Sequence, residues 1–119
     1  NSVNNGVRYI AEVNKALGLW DRTIILVTSE FARTFENSSE GDDHGHIHPL
    51  FIMGGKVNGR QVTPAQTNQK IASTQGSYLT SPAVDTRNVI AQIIAAMGYS
   101  AAPVIQDSGY DTTNLNLFL

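Results

Sequence analysis

A chain of 119 residues, 41% hydrophobic and 15% charged, is long enough for one modest globular domain with a core of its own. Its net charge of −2 and its singly scattered Lys and Arg exclude a basic nucleic-acid surface and a polybasic membrane patch. The absence of cysteine excludes disulfides, thiolate catalysis and cysteine zinc sites, and no apolar run approaches the roughly 20 residues that span a bilayer. The expectation is a soluble chain. It begins at Asn1 rather than Met and carries no visible signal peptide, as expected of a processed, truncated or partly recovered product, upstream of which an export signal could have stood.

From Gly6 to Leu19 apolar residues fall at Val7, Ile10, Ala11, Val13, Leu17 and Leu19, a helical spacing that Gly18 would stop. After the connector Trp20-Asp21-Arg22 comes TIILVTSEF, in which Ile24 to Val27 are four consecutive apolar residues rich in β-branching. A run without polar alternation predicts a strand buried on both faces, as in a parallel sheet. Residues 33–45 are polar and loop-like, and PLFIMGG then predicts a second short buried strand. Asn58-Gly59 within KVNGRQV is a hairpin signal. Pro64 to Tyr78 is a polar surface excursion. Asp85 to Met97 predicts a helix capped by Asp85, with Val89, Ile90, Ile93, Ile94 and Met97 as its apolar stripe and Gly98 as its end. Leu115, Leu117 and Leu119 alternate in the tail and could add an edge strand.

This order is an α/β pattern. Two lone buried strands cannot cover their own faces or satisfy their edges, however. The chain therefore reads as a single partial domain, residues 1–119, completed by the remainder of a larger protein or by another chain.

Two stretches carry candidate chemistry. His44, His46 and His48, all the histidines present, alternate beside Asp42 and Asp43, and in an extended segment alternate side chains share a face. Imidazoles beside carboxylates suit zinc, manganese and similar divalent ions. The competing view is a solvated loop whose histidines hydrogen-bond to backbone. In VTSEFART, Glu30 and Arg33 follow the first core strand, where open α/β sheets place their ligands. Glu30 could ligate a cation and Arg33 could hold an anion through its fork of donors, or the two could be an ordinary pair on a surface turn. DHGHIH has the letters of an HxHxDH motif in the wrong order, MGGKVNG lacks phosphate-loop spacing, and neither Ser29 nor Ser73 has a G-x-S-x-G setting.

Taken together, LGLWDRTIILVTSEFART, DDHGHIHPLFIMGGKVNGRQV and DTRNVIAQIIAAMG resemble, in order and spacing, a group of exported bacterial proteins of unknown function. That group is similar to sulfatases and is placed in the alkaline phosphatase superfamily. Its pattern is a strand ending in SEFGR, a variable loop, a DHG-type motif, an apolar strand and a Gly-rich turn. The resemblance implies the C-terminal portion of a larger α/β sandwich with a mainly parallel sheet, located in the periplasm or secreted. It further implies divalent-metal hydrolysis of sulfate or phosphate esters, with zinc, calcium or manganese as the ion and an anionic small-molecule or glycan ester as substrate. Glu30 then stands where related hydrolases place a metal carboxylate, Asp43 and His44 match the DHG pair, and Arg33 matches the arginine after SEF. His46 joins them as a ligand through the histidine cluster alone, and His48 is weaker still. Ala32 replaces the family's glycine, a change that matters if the position needs a positive φ. The superfamily draws its nucleophile from an N-terminal half that this chain lacks. A rival expectation is a non-catalytic envelope protein that keeps the fold for binding or assembly, and a third is metal sequestration by the histidine cluster by itself.

Overall fold

The computed structural model describes residues 2–33, 44–45, 48–60, 74–75, 78–79, 84–105 and 109–119. In chain order these form α1 (Ser2–Ala16), a 3-10 turn (Trp20–Arg22), β1 (Ile24–Val27), β2 (Ala32–Arg33), β3 (His44–Gly45), β4 (Phe51–Gly54), β5 (Thr74–Gln75), β6 (Tyr78–Leu79) and α2 (Thr86–Ala96).

α1 begins four residues earlier than its apolar spacing predicts, and it ends as predicted at Gly18. With φ at +68°, Gly18 lets its own N–H reach the Lys15 carbonyl at 3.0 Å while the Leu19 N–H reaches Asn14 at 2.8 Å. These two bonds are the Schellman closure, which satisfies carbonyls that the last helical turn leaves without partners. The Thr23 hydroxyl then donates towards the Leu19 carbonyl (2.8 Å) and the Asn14 side chain (3.1 Å), fixing the angle at which the chain enters β1. α2 ends in the same way, with Gly98 at φ +87° and bonds from Gly98 to Ala95 (2.9 Å) and from Tyr99 to Ile94 (3.1 Å).

β1 and β4 pair antiparallel, with Ile24 opposite Gly54 and Val27 opposite Phe51. β2 and β3 pair antiparallel, with Ala32 opposite Gly45 and Arg33 opposite His44. β5 and β6 form a third antiparallel pair. The α/β composition stands, and every strand pair among the described residues is antiparallel. Direction follows from the connection. Parallel neighbours need a crossover of a dozen or more residues, usually helical, whereas β1 leads into β2, and β3, paired back on β2, leads into β4. The two ladders differ in register by one residue, since the chain has four residues between them on the way out (28–31) and five on the way back (46–50).

Neither β1 nor β4 is buried on both faces; Leu26 is exposed, as is Phe51 at 61%. On α1, Val3, Ile10, Val13 and Leu17 fall on one stripe and are exposed as well, Leu17 at 66%. The buried residues among those described are Asn88 (1% exposed) and Val89 (4%), both on α2.

β4 closes on a glycine pair because backbone passes there. The Gly55 N–H donates to the Trp20 carbonyl at 3.1 Å. A Cβ on Gly55 would lie 2.7 Å from the same oxygen and 2.7 Å from Asp21 Cα, and one on Gly54 would run into the Thr23 carbonyl oxygen. Glycine permits this approach and no other residue does.

Beyond that turn, Val57 bridges to Phe118 in the tail. The Asn58 N–H donates to Leu117 (2.8 Å), the Leu119 N–H to Lys56 (3.0 Å), and the Asn58 side-chain amide to the Asn116 carbonyl (3.1 Å). The tail therefore pairs with residues 56–58 through one isolated bridge and does not form the edge strand that its alternation suggested. The hairpin expected at Asn58-Gly59 would need residues 61 and 62, which lie outside the described residues, as does most of the Pro64 to Tyr78 excursion.

α2 begins on Asp85, whose carboxylate accepts the Arg87 N–H at 2.8 Å and the Arg87 guanidinium at 2.6 Å. Those hydrogen bonds, the side-chain one first, hold the Asp85 carboxyl below its ordinary 3.8. Val89 is buried and Ile90, Ile93 and Ile94 are half-buried as the stripe predicts, while Met97 is exposed. Asn88 and Gln92 add a polar clasp. Asn88 Nδ2 donates to the Thr113 carbonyl (2.9 Å), and Gln92 Nε2 donates to Asn88 Oδ1 (2.7 Å) and to Thr113 (3.0 Å). Gln92 Oε1 accepts the Leu115 N–H (3.2 Å). The tail is thus held to α2 at one end and to residues 56–58 at the other.

Candidate functional site

The two motifs singled out by sequence meet at the β2–β3 ladder. Arg33, from the SEF-R stretch, stands directly opposite His44, from the DHG stretch. Facing residues in such a pair have Cβ atoms within about 5.5 Å of each other, so their side chains share one neighbourhood. Phe31 lies beside both. Its ring centroid is 3.8 Å from that of His44 with 22° between the planes, and the Arg33 guanidinium carbon is 5.1 Å from the Phe31 centroid.

The turn that delivers these residues is held locally. The Ser29 hydroxyl donates to the Phe31 carbonyl at 2.8 Å and the Thr28 hydroxyl to the Ser29 carbonyl at 3.2 Å, so both hydroxyls serve the backbone at the end of β1. Ala32 sits in β2 without a positive φ, so the glycine of the family's pattern is not required here for backbone reasons. Gly45 sits in a tighter place. A Cβ there would lie 3.1 Å from the Arg33 carbonyl oxygen and 3.3 Å from Ala32 Cβ, so a side chain would need these neighbours to give by a few tenths of an ångström.

Glu30 is exposed, one residue before Phe31, and among the described residues it has no hydrogen bond or ion pair. His44 is exposed at the ladder. Half-buried His48 has Nδ1 3.1 Å from the Pro49 carbonyl oxygen, the backbone contact anticipated for single histidines in this loop. With the proton on Nδ1 donated to that oxygen, Nε2 keeps its lone pair for another partner. Asp43 and His46, the other two expected ligands, lie outside the described residues. Among those described, no three His, Asp or Glu side chains gather into a metal-binding group. Among the described residues, the expected cation-holding side chains here are the Glu30 carboxylate and the His44 imidazole, with His48 further along the chain and Arg33 opposite His44. Phe31 and Gly45 belong to the SEF-R and DHG motifs, yet neither was assigned a role there. The only signal for them was position, one on each side of the residues singled out.

Fold and site together define an α/β protein in which Arg33 and His44 face each other on a short antiparallel ladder that follows its first strand. No helix among the described residues is long and apolar enough to cross a membrane. The chain belongs to DUF1501, a family of proteins of unknown function, whose model matches residues 2–114. Comparison with curated proteins and with solved structures gives no match.

Proposed function

We propose that this chain is the C-terminal segment of an exported, metal-dependent hydrolase of sulfate or phosphate esters. The observation that carries the proposal is the Arg33–His44 pairing, which supports it by bringing an expected anion binder opposite an expected metal ligand. In this proposal Glu30, Asp43, His44 and His46 contribute to a zinc, calcium or manganese centre. When bound, such an ion polarises ester oxygens and activates the attacking nucleophile. Arg33 would hold two oxygens of the anionic ester through its planar fork. The nucleophile comes from the remainder of the protein, which also supplies the mainly parallel sheet of an alkaline-phosphatase-like sandwich. The exposed apolar stripe of α1 and the exposed Leu26 and Phe51 support a covering layer of that kind.

The test is elemental analysis of the intact protein beside an Asp43→Ala/His44→Ala double variant. The double variant is expected to lose most of its divalent metal. Equal metal content in the two would favour the non-catalytic envelope role.

A further inference from the structure

We propose that Phe31 is a positioning residue that fixes the plane of the His44 imidazole and the place of the Arg33 guanidinium for binding a divalent cation and an anionic ester. This role rests on the metal centre proposed above. An exposed imidazole on a two-residue ladder would otherwise turn freely about both side-chain torsions, because so short a ladder restrains backbone alone. At 3.8 Å and 22° the Phe31 ring covers one face of the imidazole and removes most of that freedom. The lone pair that binds a metal lies in the imidazole plane and points out from its edge. A stack therefore leaves the ligand direction open while restricting rotation, and less freedom is lost when the ion arrives. The same ring carries the Arg33 guanidinium at 5.1 Å, by the attraction of a cation to an aromatic face. One side chain thus sets the spacing between the cation-holding and the anion-holding groups.

The experiment compares the intact protein with its Phe31→Leu and Phe31→Tyr variants, using zinc titration calorimetry and the proton shifts of the His44 ring. In the parent protein the His44 ring protons are expected upfield, shielded by the stacked ring. Phe31→Leu moves them to the position of an unstacked histidine and weakens zinc binding about tenfold, the scale on which support of a ligand is felt. Phe31→Tyr keeps a ring and restores both readouts, which separates positioning from a general loss of folding. A Phe31→Leu variant that loses the upfield shift yet binds zinc as tightly as the parent overturns the positioning role and leaves the metal centre standing. A parent protein that takes up no zinc removes the zinc reading of the metal centre, and the role of Phe31 in it. Unshielded His44 protons in the parent overturn the stack itself.

Discussion

Asn88→Ala probes what holds the tail in place. Asn88 is 1% exposed, donates to the Thr113 carbonyl at 2.9 Å and accepts from Gln92 Nε2 at 2.7 Å. Alanine removes both bonds, each contributing about 1 kcal/mol net. It also leaves a small void, costing roughly 1 kcal/mol. Two effects offset part of this. The Thr113 carbonyl keeps its bond from Gln92 Nε2 at 3.0 Å, and alanine favours a helix interior over asparagine by about 0.5 kcal/mol. The balance is a loss of about 2 kcal/mol. Urea unfolding of the intact protein should show it as a lower midpoint with an unchanged slope. Native-state hydrogen exchange should show faster exchange at Leu115, whose N–H rests on Gln92 Oε1. Asn88→Asp should be worse than alanine, since it points a carboxylate oxygen at a carbonyl in a buried place. A loss below about 0.5 kcal/mol for Asn88→Ala would refute the idea that this clasp secures the tail.

Gly55→Ala should cost about 3 kcal/mol, read as a fall in melting temperature, because its Cβ would meet Trp20 and Asp21 backbone that cannot give way. On the proposed hydrolase function, Arg33→Ala in the intact protein is expected to lower kcat/KM on a sulfate or phosphate ester by about 10- to 100-fold, with Arg33→Lys recovering only part, since a point charge cannot make two parallel bonds. Asp85 gives a pH dependence of known sign. Its carboxyl is held below its ordinary 3.8 in the folded chain, so on acidification the unfolded chain takes up that proton first. The stabilisation is fully present above about pH 4 and is lost as pH falls through the folded value. Asp85→Asn, which still caps the helix, should flatten that slope in acid unfolding curves while costing at most about 1 kcal/mol near neutrality.

What could be read from sequence was local. Asp85 and Gly98 bound α2 and Gly18 ends α1 because capping acts through neighbouring backbone groups, and the residue type alone announces it. The α/β class followed from apolar spacing. Strand direction did not, because Ile24 to Val27 and Phe51 to Gly54 look alike in either sheet type, and the antiparallel pairing comes from the reversal between β2 and β3. Asn88 and Gln92 were hidden among apolar neighbours, since their partners, Thr113 and Leu115, lie more than twenty residues away. Of the site, Glu30, Arg33 and His44 were legible as residue types at a strand end. The Phe31 stack was not, because it depends on which residue faces which across the ladder.

The one-residue offset between the two ladders has a consequence for how this protein can vary. Side chains alternate sides within each ladder, and the β2–β3 ladder consists of two residue pairs only. A slip of one residue within it would bring Gly45 opposite Arg33 and take His44 out of that pairing. A change of one residue in chain length beside so short a ladder therefore bears on whether the imidazole stays opposite the guanidinium.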